Sequence, residues 1–331
     1  MQKISSMLFA MVFLVSAVQV FAQDSRDTSL HSSKFKSGTI VRSAFRDVVK
    51  PASVSTVSVL ADGKQVALGA VVDANGWIVT KASELKGSIE CRLSNGKRVN
   101  AIIKGSDPSI DLALLKVNAK GLKAVAWATE KNPSVGKWVA TCGSEKDPVA
   151  VGVIGVPRRR IPRVPPVIGV NIQESERGPQ IAQVFPNTGG AKAGLRNSDI
   201  ITHAAGRRTE TRESLIRLLG NHTAGDTIDL TIQRGNQSIK KQVTLSRRQQ
   251  VFPDNPQANV QNRLGGELSN RRDGFVAVIQ HDTVLRPNEC GGPLVDLSGK
   301  AIGINIARAG RIESYALPVD LVRAAIVKLK P

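Results

Sequence analysis

The run Asn288-Glu289-Cys290-Gly291-Gly292-Pro293-Leu294 has the composition of an acyl-transfer loop. A thiol stands directly before two glycines, so the backbone can turn tightly enough for neighbouring N–H groups to converge on a developing oxyanion. Such a thiol needs a partner that lowers its pKa and later protonates the leaving amine. The chain's histidines are His31, His203, His222 and His281, and only His281 lies just before the loop. Two readings of it stay open: a relocated base for Cys290, or a strand histidine hydrogen-bonded to its own surroundings. No metal-ligand spacing is present, and no metal or cofactor is expected.

The elements that must position this loop are strands. Val54 to Val59, Val66 to Val72, Trp77 to Thr80, Ile89 to Leu93, Arg98 to Lys104 and Leu112 to Val117 are short, apolar and separated by turn residues. That spacing predicts a closed antiparallel barrel. Asp73-Ala74-Asn75-Gly76 supplies an Asn-Gly hairpin signal between two of the strands. Before them, Ile40, Ala44 and Val48 repeat at helical spacing, with Pro51 expected to stop the helix. A second set begins at Trp138 to Gly143 and Val149 to Val156, breaks off at the Pro- and Arg-rich stretch 157–166, and resumes at Gly274 to Asp282. Val319 to Lys330 reads as a closing helix with Leu321, Ala324, Ala325 and Leu329 on one face.

On these residues the chain resembles the HtrA/DegP-type branch of the chymotrypsin-like serine proteases. The family's loop reads Gly-Asn-Ser-Gly-Gly-Pro-Leu, so Cys290 stands at its serine, Asn288 at its oxyanion-hole glycine, and Glu289 between them. Gly76 to Leu85 matches the family's base-bearing stretch, with Ser83 at the histidine position. Asp111-Leu112-Ala113-Leu114-Leu115-Lys116 matches the strand carrying the orienting aspartate, which is kept as Asp111. Ser314 to Pro318 is similar to the strand beside the substrate pocket.

Residues 164–247 resemble a bacterial PDZ domain. Val167-Ile168-Gly169-Val170 matches its carboxylate-binding loop, Gly190 to Ile201 its helix–turn–strand core, and Thr211 caps a helix through Leu215, Leu218 and Leu219. The resemblance implies a mainly β fold: a chymotrypsin-like double six-stranded β-barrel with an inserted α+β PDZ domain and a C-terminal helix. The expected division is a signal peptide (1–22), a disordered lead (23–37) and the first barrel (38–120). The first part of the second barrel (121–163), the PDZ domain (164–247), a linker (248–262), and the rest of the second barrel with the helix (263–331) follow.

The degenerate triad, with Ser83 and Cys290 replacing its histidine and serine and Asp111 kept, implies a retained fold whose hydrolysis is lost. Ser83 cannot act as a base at neutral pH, Asp111 is expected to bond Ser83 or nearby amides, and Lys81 is expected to point to solvent. What remains is binding of protein C-termini or unfolded polypeptides, with Val167, Ile168, Gly169, Val170, Leu215 and Leu219 forming the peptide site. The alternative is an active serine- or cysteine-type endopeptidase of envelope quality control using Cys290.

Composition bears on partners and compartment. Residues 1–22 carry Lys3, an apolar run and Val20-Phe21-Ala22, the pattern of a cleaved secretory signal, which predicts export to the periplasm or cell envelope. An uncleaved anchor is the competing reading. The net charge is +19 in 331 residues, distributed over doublets and triplets such as Arg158-Arg159-Arg160 and Arg271-Arg272. A basic surface of this kind suits anionic cell-envelope polymers. With only 4 % aromatic residues and no reading helix, no specific nucleic acid is expected. Cys91 and Cys142 read as small buried hydrophobes, with a bridge between them left open. A homo-oligomer is compatible with the family.

Overall fold

The computed structural model describes residues 31–251 and 264–331. The expected signal segment and most of the 248–262 linker lie outside the described residues. Part of the expected disordered lead is corrected: Ser32–Lys34 form a 3-10 turn, and Lys36 pairs with Asp282 across the molecule. Two helices follow, α1 (Thr39–Ala44) and α2 (Arg46–Ser53). The expected stop at Pro51 is also corrected, because α2 continues through it to Ser53. Proline removes one helical hydrogen bond, and burial of Val49 and Ala52 in the core shared by the barrels offsets that loss.

Six strands, β1 (Thr56–Ala61), β2 (Lys64–Asp73), β3 (Trp77–Lys81), β4 (Ile89–Arg92), β5 (Arg98–Asp107) and β6 (Leu112–Val117), close in the order β1-β2-β3-β6-β5-β4. Residues on β3 alternate between two apolar environments. Ile78 fills the barrel and Val79 faces the second barrel, so the strand is buried on both faces. The β2–β3 turn needs Gly76, whose φ is 91° and whose added Cβ would lie 2.5 Å from the Val117 carbonyl oxygen.

The second barrel takes β7 (Trp138–Thr141) and β8 (Ala150–Ile161) before the intervening domain. That domain comprises β9 (Val170–Gln173), β10 (Gln180–Val184), α3 (Gly189–Lys192), β11 (Ile200–Ala204), β12 (Arg207–Arg208), α4 (Arg212–Leu219), β13 (Thr227–Arg234) and β14 (Gln237–Thr244). The short helix α5 (Arg248–Val251) follows. The barrel is then completed by β15 (Phe275–His281), β16 (Pro293–Val295), β17 (Ala301–Arg308) and β18 (Ser314–Pro318), and the chain ends in α6 (Val319–Leu329). The strand order β15-β18-β17-β16-β7-β8 closes through β8 and β15.

The intervening domain therefore sits in a loop of the second barrel, and its ends are pinned twice. Ile161 pairs directly with Phe275, and Val167 bridges to Ser246 with both backbone hydrogen bonds at 2.8 Å. Holding the ends together makes so long an insertion cheap in loop entropy, because the barrel sees only a short gap. Within the domain the sheet order is β14-β13-β11-β10-β9, which leaves β9 at an edge. Its core, including Ile168, Leu215 and Leu219, is separate from the barrel cores. Val322 and Ala325 on α6 join the core between the barrels.

Candidate active site and peptide groove

The residues with chemical potential meet where the two barrels face each other. Cys290 follows a 3-10 turn, Pro287–Glu289, and is fully buried. Gly291 can follow because its φ of 100° is open to glycine, and any Cβ there would lie 2.1 Å from the Leu68 carbonyl oxygen. Leu68 N–H donates to the Cys290 carbonyl at 2.8 Å, so β2 of the first barrel clamps the loop of the second.

The Glu289, Cys290 and Gly291 amides of the loop are turned inward. Cys290 N–H donates to the Pro287 carbonyl at 3.3 Å and Glu289 N–H to the Arg286 carbonyl at 3.0 Å, the two bonds of the turn. The Asn288 carbonyl accepts from Gln65 Nε2 at 3.2 Å, and a Glu289 carboxylate oxygen accepts from Arg286 N–H at 2.7 Å. An N–H already bonded to a backbone carbonyl is not aimed at a substrate oxygen.

The thiol itself points to the Arg286 carbonyl, 3.7 Å away. Burial pushes its pKa up to about 11, against the charge of Lys81 and hydrogen bonds from Ser269 and the Arg308 amide, which favour the thiolate. Cys91 and Cys142 are free and buried, so no bridge joins them.

Ser83 and Asp111 form a closed pair. Asp111 accepts from Ser83 N–H at 2.8 Å and from its hydroxyl at 3.0 Å, occupying both carboxylate oxygens. Asp111 holds a left-handed backbone conformation, φ 61°, which aspartate tolerates better than most residues. Burial pushes its carboxyl pKa up, while Lys81, Arg271 and the Ser83 bonds act the other way.

The expectation that Lys81 is solvated is overturned. Its side chain is 0 % exposed, with Nζ 3.2 Å from a Glu84 carboxylate oxygen, and its charge acts on both Asp111 and Cys290. Lys81 is the last residue of β3, where both faces of the sheet are covered, so no orientation reaches water. Glu84 is its ion-pair partner, and Asp111 lies close enough to feel its charge.

His281 lies away from this chemistry. It is buried, its Nδ1 is 2.7 Å from the Thr283 hydroxyl, and no hydrogen bond joins it to Cys290 among the described residues. Among the described residues its Nε2 makes no hydrogen bond of normal geometry, and burial drives its pKa down to about 3 against the opposing pull of Asp282 and Asn305. An imidazole neutral over the whole physiological range cannot form an ion pair with a thiolate.

Two arginines of the site escape a reading by motif. Arg271, part of a doublet assigned to the solvated surface, is instead buried. It donates to the carbonyls of Pro108 and Ser109 and lies 5.1 Å from the centre of the Phe275 ring, tying the Asp111 loop to the second barrel. Arg308, 1 % exposed on β17, donates to the carbonyls of Gly265, Gly310 and Arg311 beside the thiol. The only sequence signal for either is its adjacency to an apolar run. A cleft of about 1120 Å³ opens above the loop, lined by Gln65, Glu84, Glu267, Arg272, Arg286 and Asn288 among others.

A second, smaller groove lies in the inserted domain. It has a volume of about 450 Å³ and runs between edge strand β9 and α4, with Val167, Ile168, Val170, Leu215 and Leu219 among its walls. Gly169 turns the loop at φ 90°, where a Cβ would lie 2.2 Å from Thr188 Cβ. Val167 N–H is bonded to Ser246, whereas the Ile168 and Gly169 N–H groups have no acceptor among the described residues. Thr211 caps α4 with a reciprocal bond from Ser214, which satisfies the first-turn amides of the helix.

Comparison with known proteins follows this geometry. Residues 67–171 match the trypsin-like peptidase domain family and residues 166–245 the PDZ domain family. A probable periplasmic serine endoprotease DegP-like of Halomonas elongata is 22 % identical over 262 residues, covering 54 % of this chain and 55 % of its own length. A serine protease Do-like HtrA of Lactobacillus helveticus is 24 % identical over 271 residues, covering 52 % of this chain and 66 % of its own. The chain thus spans about half to two thirds of the length of these relatives. Among solved structures, the serine endoprotease from Yersinia pestis overlaps with a TM-score of 0.31 at 17 % identity, covering 61 % of this chain and 97 % of that one.

Proposed function

We propose that this chain, which joins an HtrA-type trypsin-like peptidase fold to a PDZ domain, binds protein C-termini or unfolded polypeptide without hydrolysing it. We place it in the periplasm or cell envelope, as the names of its relatives and the leader-like residues 1–22 suggest. The observation that carries the reading is the contrast between its two sites. The nucleophile loop spends the Cys290 N–H on its own turn and offers the thiol no imidazole, while the PDZ groove keeps an edge strand and two amides available.

Strand addition to β9 would satisfy those amides with the peptide's terminal carboxylate and bury its last side chain against Leu215 and Leu219. One observation favours the other reading, an endopeptidase built on Cys290: the buried Lys81 charge stabilises a thiolate. One pair of assays separates the two. Peptides with a free, apolar C-terminus are expected to bind and their amidated forms to lose most of that affinity, with unfolded casein left intact. Casein cleavage that disappears in Cys290→Ala would replace this reading with the endopeptidase, and equal binding of free and amidated peptides would remove carboxylate capture.

A further inference from the structure

Away from the nucleophile loop and the peptide groove, a further cavity of about 500 Å³ opens along α2. Three segments meet there: the helix itself, the turn 94–95 between β4 and β5 of the first barrel, and the loop 144–146 between β7 and β8 of the second. Its size is that of a small-molecule site. Arg46, Lys50 and Ser53 recur at i, i+4 and i+7, so one stripe of α2 faces the cavity.

Both ends of the helix are tied to the walls. Arg46, the first residue of α2, pairs with Asp147 of the second barrel. Val54, just past its last residue, accepts at 2.9 Å from Ser94 Oγ of the first.

Within that frame, polar groups are left over. Asp47 and Lys50 on α2, and Glu145 and Lys146 on the loop, line the cavity, and none of these four side chains makes a hydrogen bond or ion pair among the described residues. Ser53 belongs to the same wall and is 9 % exposed, yet its Oγ has no hydrogen-bond partner. A buried hydroxyl without a partner is costly, so its place beside a cavity marks a group that a ligand atom can satisfy.

Each wall thus offers one acid and one base. Two charges of either sign sum to zero, which complements neither a polyanion nor a bare cation but suits a small molecule carrying an ammonium and a carboxylate. The spacing agrees. Asp47 and Lys50, at i and i+3, stand about 5–6 Å apart at Cβ, and the charged ends of an extended dipeptide are about 7 Å apart.

We propose that this cavity binds a free dipeptide, its carboxylate held by Lys50 and Lys146, its ammonium by Asp47 and Glu145, and its peptide group by Ser53 Oγ. Such a ligand clasps α2 to both barrels. The site is independent of the PDZ groove, where carboxylate capture places no demand on the peptide's ammonium.

The test is isothermal titration calorimetry at low salt on the full chain with dialanine, N-acetyl-dialanine and dialanine amide. Dialanine is expected to bind, and each blocked form to bind about five-fold more weakly, the scale of losing ion pairs at a half-open site. The double variant Lys50→Gln, Lys146→Gln should erase the advantage over the amide, and Asp47→Asn, Glu145→Gln the advantage over the acetylated form, with folding checked by circular dichroism. N-acetyl-dialanine binding as tightly as dialanine overturns the proposal, as that pattern belongs to the PDZ groove. So does an advantage that survives both double variants, or a failure of dialanine to bind at all.

Discussion

Replacing Lys81 with methionine is expected to lower the free energy of unfolding by about 3 kcal/mol, the scale seen when one partner of a buried ion pair is removed. The side chain is wholly enclosed, and its Nζ is 3.2 Å from Glu84. Methionine keeps the volume and apolar contacts, so the loss falls on charge alone. Glu84 would keep a partly buried carboxylate with no cation, and Asp111 would lose one of the charges that oppose its desolvation. Adding Glu84→Gln should recover part of the loss, because the stranded charge goes with it. Urea denaturation at pH 7 measures both. A change below about 1 kcal/mol for Lys81→Met would mean that the ammonium is hydrated.

The second large effect concerns what it would take to rebuild a hydrolase. Converting Ser83→His and Cys290→Ser together is expected to leave casein hydrolysis at background. Those changes supply a base and a hydroxyl, but Cys290 N–H remains bonded to Pro287, and Gln65 still holds the Asn288 carbonyl. Loss of a single oxyanion donor costs about 10²–10³ in turnover, and the parts of such a site act as a unit. Activity is expected first in the triple variant with Asn288→Gly, whose backbone can leave the turn. Hydrolysis by the double variant alone would show that the loop opens without help. A triple variant as silent as the double, with folding intact by circular dichroism, would place the block elsewhere, with the buried Lys81 the first suspect.

What the sequence could reveal and what it could not differ by the range of the interaction. The Cys-Gly-Gly turn, the Asn75-Gly76 hairpin and the helix capped by Thr211 are local, so each reads from a few consecutive residues. The two barrels are legible too, since strands of this length and spacing have few ways to bury both faces. Lys81, Arg271 and Arg308 resist the same treatment. A charge at the end of a strand normally marks the surface, and only the arrival of Glu84 and Asp111, or of backbone carbonyls from residues 108, 109, 265, 310 and 311, makes it tolerable inside. Glu84, Gly310 and Arg311 are close in sequence but become partners only through the turns that follow their strands, while Asp111, Gly265 and the carbonyls of residues 108 and 109 arrive from distant parts of the chain. The 3-10 turn before Cys290 is similarly hidden, because Asn288 is compatible with either direction of the loop, and contacts with β2 accompany the inward one.

The central claim is that burial of Cys290 outweighs the Lys81 charge and that no base among the described residues takes its proton. The pH dependence of alkylation at that residue tests it most directly, followed by mass spectrometry of the Cys290 peptide so that Cys91 and Cys142 do not interfere. A thiol with its pKa at about 11 is expected to react very slowly at pH 7 and to gain about ten-fold per pH unit up to pH 10. A plateau already reached between pH 6 and 8, lost in Lys81→Met, would reveal an activated thiolate and contradict the account.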